Sequence, residues 1–335
     1  MIRHGGQLSA LRRRYPEAPE PLIDLSTGIN PFPYKLPPIP ETAYTRLPEE
    51  THIRDLREAA ATAYGTQGPE LVAAAAGTQL LISSLPRIFP AARVSVLAPT
   101  YAEHAAVWVS SGAGVAEVST LAALEDGDVA VLCNPNNPDG RAFEAGAIGE
   151  LAARKAGRGG RLIVDEAFAE FAEAGLSAAP LVPQPGLMVL RSFGKAYGLA
   201  GLRLGFLVAE ERVVERVARA LGPWPVSGVA IHVACRAFVD SDWRRETGEL
   251  LARAGARLDV LLARYGLEAV GGTSLFRLAC HRNAPAVADA LGRAGILVRG
   301  FDERPDWLRF ALPADEDAWS RLEAALARVP RPCQW

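Results

Sequence analysis

Residues 191–203 place a lysine, a serine and an arginine at spacings suited to binding a phosphorylated aldehyde. Lys195 could form a Schiff base with an aldehyde, and Ser192 and Arg203 could bind a phosphate. The glycines between them let the backbone approach a ligand closely. An aldehyde and a phosphate carried by one cofactor indicate pyridoxal 5′-phosphate (PLP).

The elements around this segment are predicted to be buried strands. Apolar runs at residues 187–190 and 206–208 flank it, so Lys195 is expected on a loop between two strands. Taken alone, a lysine on a glycine-rich loop is more often a solvated surface residue. The PLP interpretation therefore depends on three further segments.

The first of these ends in a carboxylate. Asp165 follows the apolar run 162–164, as expected where a parallel strand reaches its carboxyl end, the edge at which ligands bind in open α/β sheets. Such an aspartate could pair with a protonated pyridine nitrogen and keep the ring an electron acceptor. It could equally cap the helix that follows, and the residues alone leave both readings open.

The other two segments are turns after apolar runs. Asn137 follows the run 131–133 and could donate a hydrogen bond to the phenolic oxygen of PLP, although an ordinary Asn/Pro/Gly turn explains it as well. Gly77, Thr78 and Gln79 open a helical stretch, whose free N–H groups could bind a phosphate. An N-cap threonine is the alternative there.

Together and in this order, the four segments resemble the fold-type I PLP enzymes of the class I/II aminotransferase family, from about Asp24 to about Leu312. The resemblance implies that Lys195 forms the Schiff base, Asp165 pairs with the pyridine nitrogen and Asn137 donates to the phenolic oxygen. The other cofactor contacts that it implies are Gly77, Thr78, Gln79, Ser192 and Arg203 at the phosphate and Tyr101 on the face of the ring. It also implies an α/β fold with a large domain built on a mainly parallel, seven-stranded sheet and a small α+β C-terminal domain.

Two branches of the family are most similar to this sequence: histidinol-phosphate aminotransferases and the threonine-phosphate decarboxylases of cobalamin synthesis. His4-Gly-Gly, the segment 24–31 and Pro223-Trp224 resemble the decarboxylase branch. Phe168 does too, because the aminotransferases usually carry a tyrosine three residues after the aspartate. The resemblance therefore implies decarboxylation of L-threonine O-3-phosphate, with amino transfer as the alternative and a non-catalytic PLP-binding regulator as a third reading.

Several substrate contacts follow from the same resemblance. Arg299 and Arg309 lie in or next to short apolar runs, and arginine binds carboxylate and phosphate bidentately. Surface ion pairs are the ordinary role of such residues, but the family implies that Arg299 meets the substrate phosphate and Arg309 its carboxylate. Asn30 would assist at the carboxylate and His4 at the substrate. Tyr44 would reach the site of a neighbouring subunit, so a homodimer is expected.

Bulk composition predicts a cytoplasmic metabolic enzyme. The 335 residues are about half hydrophobic and carry a net charge of −2, which argues against nucleic acid as a partner. No apolar run approaches the ~20 residues of a membrane span, and the N-terminus lacks the apolar core of a signal peptide. The cysteines (133, 235, 280 and 333) show no metal-ligand spacing, so reduced thiols and no metal site are expected.

The chain is predicted to divide into three parts. Residues 1–40 are rich in proline and are expected to form an extended arm. Residues 41–220 alternate short apolar runs with alanine-rich helical stretches, which predicts the large PLP-binding domain. Residues 221–335 are expected to hold a long helix, at about 226–265, and the small domain.

Overall fold

The fold is that of a computed structural model of the chain, and the structure describes residues 5–329. The strands are β1 (Ile23–Asp24), β2 (Val72–Ala75), β3 (Arg93–Leu97), β4 (Gly114–Val118), β5 (Val129–Cys133), β6 (Arg161–Asp165), β7 (Leu187–Ser192), β8 (Gly205–Ala209), β9 (Glu268–Thr273), β10 (Phe276–Cys280), β11 (Ile296–Leu297), β12 (Arg299–Gly300) and β13 (Trp307–Ala311). The α-helices are α1 (Leu8–Arg14), α2 (Thr42–Thr45), α3 (Glu50–Tyr64), α4 (Thr78–Ile88), α5 (Glu103–Ser110), α6 (Ala145–Ala156), α7 (Phe193–Ala196), α8 (Glu211–Leu221), α9 (Gly228–Val239), α10 (Ser241–Arg264), α11 (Ala284–Arg293) and α12 (Glu316–Leu326).

Two compact units make up the chain. The large unit comprises Pro33–Asn137 and Arg141–Arg245. Within the described residues, the small unit comprises residues 5–32, Pro138–Gly140 and residues 246–329. The three-part domain division expected from the sequence stays a prediction.

The large unit is built on a seven-stranded sheet with the order β2-β8-β7-β6-β5-β3-β4. Strand β8 runs antiparallel to both of its neighbours, and the other pairs are parallel. This confirms the predicted α/β fold with a mainly parallel sheet. Because the parallel strands point the same way, the residues that follow β3, β5, β6 and β7 meet at one edge of the sheet.

The central strands β5 to β8 are buried along nearly their whole length. Successive side chains of a strand point to opposite faces, so neighbouring residues enter different parts of the core. Leu132 and Val164 pack in one apolar cluster, and Val131 and Ile163 pack in the other. Because both faces of these strands are buried, their sequences are continuous apolar runs rather than alternating apolar and polar residues.

The small unit contains a four-stranded antiparallel sheet with the order β12-β13-β10-β9, together with α11 and α12. This confirms the expected small α+β domain. Strand β1 pairs in parallel with β11. The proline-rich N-terminal segment, expected to be extended, also contains helix α1. The hydroxyl of Tyr15, just after α1, donates a 2.8 Å hydrogen bond to Asp289 in α11.

The helical stretch expected at about 226–265 is divided into α9 and α10. The break lies at Asp240, whose carboxylate accepts the backbone N–H of Trp243 at 2.9 Å. A side chain that satisfies a free N–H at a helix start favours a new helix over continuation of the old one. Among residues 5–329, no α-helix combines the length and the apolar character needed to cross a bilayer.

Candidate active site

The carboxylate of Asp165 is buried at the carboxyl end of β6. Its Oδ2 lies 2.9 Å from Nε2 of His104, and its Oδ1 accepts the backbone N–H of Ala167 at 3.0 Å. His104, which stands in the first turn of α5, is not among the residues predicted from the sequence. Its position three residues after Tyr101, just beyond β3, was the available signal, because the residues that follow β3 and β6 share one sheet edge.

The surroundings of Asp165 and His104 favour the charged form of each side chain. Burial alone would raise the pKa of Asp165, but the hydrogen bond and charge of His104, with the charge of Lys195, hold that pKa below its usual value. Burial alone would lower the pKa of His104, but Cys133 and Asp165 raise it to about 10. A carboxylate oxygen can accept two hydrogen bonds, so ionised Asp165 could still accept one from a protonated ring nitrogen.

Lys195 lies in the short helix α7, which begins immediately after Ser192 at the end of β7. Its Nζ is 4.6 Å from the centroid of the Phe168 ring. Phe168 is buried three residues beyond Asp165. The structure therefore brings the predicted Schiff-base lysine and the predicted pyridine partner to the same edge of the sheet, with an aromatic face beside the amine.

The residues predicted to bind a phosphate meet at the neighbouring pair of strands. Gly77 has φ +90°, and a Cβ there would lie 2.7 Å from Nη2 of Arg203. Gly205 is the ladder partner of Ser192, and a Cβ on Gly205 would collide with the backbone nitrogen of Thr78. Thr78 begins α4. A guanidinium beside a helix start, with glycines that keep the backbone uncovered, fits the phosphate of PLP.

Gln79 and Tyr101 connect the phosphate end to the carboxylate end of this site. The hydroxyl of Tyr101 donates a 3.0 Å hydrogen bond to Oε1 of Gln79. The Tyr101 ring meets the His104 ring edge to face, with 5.8 Å between centroids. Tyr101 is thus held beside His104, the hydrogen-bonding partner of Asp165. The family resemblance implied that Tyr101 stacks on the cofactor ring.

Asn137 lies after β5 in a turn whose other asparagines have structural roles. The side chain of Asn134 bonds the backbone of Phe143 and Leu176 at 2.8–3.0 Å. The side chain of Asn136 donates to the carbonyl of Pro99 at 2.8 Å. Both are buried, whereas Asn137 is half-buried. Of the three asparagines, Asn137 is therefore the one whose burial suits contact with a ligand.

The two arginines predicted to bind substrate lie opposite each other in the small unit. Arg299 and Arg309 are direct partners in the antiparallel pair β12–β13. Burial and the charge of Arg299 lower the pKa of Arg309 to about 10. Nη2 of Arg309 donates to the carbonyl of Ser26 at 2.7 Å. Like charges on directly opposite residues repel, so this arrangement favours the binding of anions.

Arg299 lines a cavity of about 1100 Å³ in the small unit. Its lining includes Ser26, Arg299, Phe301 and Trp307. Asn30 is buried in the same unit, where its Oδ1 accepts the backbone N–H of Phe32 at 2.8 Å.

The remaining predicted site residues are His4 and Tyr44. His4 lies outside the described residues. Tyr44 belongs to α2 in the large unit and is 65% exposed. Its predicted role toward a neighbouring subunit stays a prediction.

A family model matches most of the amino-acid sequence. The model described as Aminotransferase class I and II covers residues 21–326. The chain belongs to the class I and II aminotransferase family. The resemblance recognised in the sequence is thereby confirmed, and the members of this family are PLP enzymes.

Curated relatives extend the comparison to nearly the whole chain. A threonine-phosphate decarboxylase of Pseudomonas aeruginosa is 46% identical over 335 residues, which is 99% of each protein. A threonine-phosphate decarboxylase of a Sinorhizobium species is 43% identical over 330 residues, 98% of each. A histidinol-phosphate aminotransferase of Shewanella amazonensis is 32% identical over 253 residues, 69% of this chain and 68% of the relative.

Solved structures show the same fold. The histidinol-phosphate aminotransferase of Sinorhizobium meliloti in complex with pyridoxal-5′-phosphate matches with a TM-score of 0.84 and 23% identity, covering 97% of this chain and 94% of that one. The L-threonine-O-3-phosphate decarboxylase of Porphyromonas gingivalis matches with a TM-score of 0.72 and 20% identity, covering 91% and 98%.

Proposed function

We propose that this chain is a cytoplasmic PLP-dependent lyase that decarboxylates L-threonine O-3-phosphate to (R)-1-amino-2-propanol O-2-phosphate for cobalamin biosynthesis. The observation that carries the proposal is the identity of 46% and 43%, over nearly the whole chain, to threonine-phosphate decarboxylases. Identity to a histidinol-phosphate aminotransferase is 32% over a shorter stretch. The arginine pair, Arg299 and Arg309, suits a substrate with one phosphate and one carboxylate.

In the large unit, the proposed roles follow from the geometry. When bound, PLP supplies an aldehyde for the substrate amine and a ring that accepts the electron pair left at Cα. Gly77, Thr78 and Arg203 would hold its phosphate, and ionised Asp165, supported by His104, would keep its ring nitrogen protonated. Lys195 would carry the cofactor before substrate arrives and return a proton to Cα after CO₂ leaves.

In the small unit, Arg299 and Arg309 would orient the substrate. Which bond at Cα the bound cofactor would weaken depends on how the substrate is held, because the ring accepts electrons only from a bond aligned with its π system. Arg309 would bind the carboxylate and Arg299 the phosphate, and two bidentate contacts fix rotation about Cα. Arginines that hold the carboxylate in that alignment would favour decarboxylation, whereas an arrangement that aligns the hydrogen would favour amino transfer.

The deciding experiment supplies both reactions with their substrates. With PLP and L-threonine O-3-phosphate, we expect CO₂ and aminopropanol phosphate in equal amounts. Conversion of PLP to its pyridoxamine form by glutamate, with no CO₂ from threonine phosphate, would instead identify an aminotransferase of the histidinol-phosphate type. PLP binding with neither reaction would indicate a non-catalytic regulator.

Arg299→Ala is expected to show whether Arg299 binds the substrate phosphate. If the ion pair with the phosphate is desolvated, transition-state binding of threonine phosphate should weaken by about 2–5 kcal/mol, whereas unphosphorylated threonine should be little affected. The measurement is kcat/KM for both compounds. Arg282→Ala, an exposed arginine of the same unit, is the control. Equal losses for both compounds would remove Arg299 from the phosphate site.

We further propose that the working unit is a homodimer in which Tyr44 serves the neighbouring active site. Large apolar side chains are exposed on the large unit, including Tyr44 (65%), Leu47 (62%) and Trp224 (54%). Covering such side chains with a partner would bury apolar area, which favours association. Sedimentation at assay concentration should give a dimer, and an active monomer would contradict the proposal.

A further inference from the structure

Glu166, Glu170 and Arg191 form a buried ion cluster in the large unit. Nη1 of Arg191 donates to Glu166 Oε2 at 2.8 Å, and its Nη2 donates to Glu170 Oε2 at 2.7 Å. Glu166 also accepts the Ser177 hydroxyl and the Ala178 N–H, each at 2.6 Å. All three side chains of the cluster are less than a tenth exposed. One guanidinium thus binds two carboxylates, and neither of them takes part in the chemistry proposed above.

The ion cluster is joined directly to the residues proposed to hold the cofactor. Glu166 follows Asp165, and Arg191 precedes Ser192. The N–H of Glu166 donates to the carbonyl of Leu190 at 2.9 Å, so the ion pair lies where β6 and β7 end side by side. Successive residues of an extended chain point to opposite sides, which places the Glu166 carboxylate on the side away from the Asp165 carboxylate.

The second carboxylate reaches the helix that carries Lys195. Oε1 of Glu170 lies 3.5 Å from the hydroxyl of Tyr197. Tyr197 directly follows α7, and its ring stacks on Phe193 with 4.3 Å between centroids. Phe193 and Tyr197 flank Lys195, so the ion cluster is connected to both sides of this turn: through the backbone at Arg191, two residues before Phe193, and through the Glu170 contact at Tyr197.

Stability alone does not account for this ion cluster. Burying charged groups costs free energy, and apolar side chains of similar volume are often at least as stabilising as a buried ion pair. A planar guanidinium also restricts the relative positions of its partners, because it binds two carboxylates only in certain arrangements. We propose that Arg191 is a positioning residue that joins Glu166 to Glu170 and thereby fixes Asp165, Ser192 and Lys195 relative to one another. This inference rests on the proposed PLP function.

The test is Arg191→Lys. The lysine keeps a positive charge between the two carboxylates but lacks the planar guanidinium whose two nitrogens donate to Glu166 and Glu170. We expect the apo-protein still to fold, with a lower unfolding temperature because one buried carboxylate loses its hydrogen-bond donor. PLP affinity, measured by absorbance titration of the apo-protein, should fall by about tenfold or more, and the visible band of bound PLP should shift. With PLP saturating, kcat should fall by on the order of 10²-fold, as expected for misplaced catalytic groups. KM for threonine phosphate should change little, since Arg299 and Arg309 are unaltered.

Arg257→Lys is the matched control, because Arg257 makes an exposed two-armed pair with Glu316. It should retain the PLP affinity, spectrum and kcat of the wild type. Lower stability of Arg191→Lys with unchanged PLP affinity and spectrum would make the ion cluster purely structural and overturn the inference. If Arg191→Lys does not fold, Glu170→Gln decides by the same readouts. A wild-type protein that binds no PLP would overturn the proposed function instead.

Discussion

Lys195→Ala is expected to abolish the covalent link between the protein and PLP and to lower turnover by on the order of 10⁴-fold or more, as when a covalent catalytic residue is removed. The variant should still bind PLP, because Gly77, Thr78 and Arg203 are unaltered. Borohydride treatment followed by peptide mass mapping is the measurement. It should place the reduced adduct on Lys195 in the wild type and show no adduct in the variant.

The composition of the chain makes this test unusually clear, since the sequence has only three lysines, at positions 35, 155 and 195. Lys155 is buried, and its Nζ donates to the carbonyl of Gly127, before the start of β5 and away from the carboxyl edge. Lys35 is exposed, so Lys35→Ala is the control and should keep the adduct. An adduct that persists in Lys195→Ala would assign the cofactor to another lysine.

The second large effect is expected for Asp165→Asn. Turnover should fall by on the order of 10²-fold or more, because the ring nitrogen loses the negative charge that keeps it protonated. The fold should remain, since an asparagine Oδ1 can still accept the N–H of Ala167 and His104 is retained. The measurements are kcat with saturating PLP and the unfolding temperature of the apo-protein.

Asp128→Asn is the matched control. Asp128 directly precedes β5, the neighbour of β6, and so lies at the edge of the sheet opposite to Asp165. Its carboxylate accepts the backbone N–H groups of Ala92 and Arg93 at 3.1 Å and 2.9 Å, so it is also a structural acceptor. Its replacement should leave kcat within about twofold, as for most changes far from a site. Near-normal turnover of Asp165→Asn would show that Asp165 only caps the following helix, which is the alternative role that the sequence left open.

Several of the proposed site residues were predictable because their positions depend on local pattern. Lys195, Asp165 and Asn137 each follow an apolar run that forms a buried strand, and the runs alternate with helical stretches. That alternation predicts a mainly parallel sheet, and a parallel sheet gathers the residues after its strands at one edge. The positions of the strand ends and the fold class could therefore be inferred from the sequence, although the strand order was unknown.

The contacts that tune the site depend on strand order and register, which local pattern does not encode. His104 meets Asp165 across 61 residues of sequence, because β3, β5 and β6 are neighbours in the sheet. The like-charged pair of Arg299 and Arg309 exists because β12 and β13 align those two positions.

The sequence by itself determined the fold class, because apolar runs are a local property of the chain, and the resemblance of its motifs to a known family identified the residues proposed to meet the cofactor. Only the tertiary structure decided that Arg191, the first residue of the lysine segment, binds Glu166 and Glu170 rather than a ligand. It also decided that the helical stretch divides at Asp240, whose carboxylate starts a new helix. These outcomes depend on which side chains become neighbours on burial, and a buried charge takes whichever partner the packing brings within hydrogen-bonding distance.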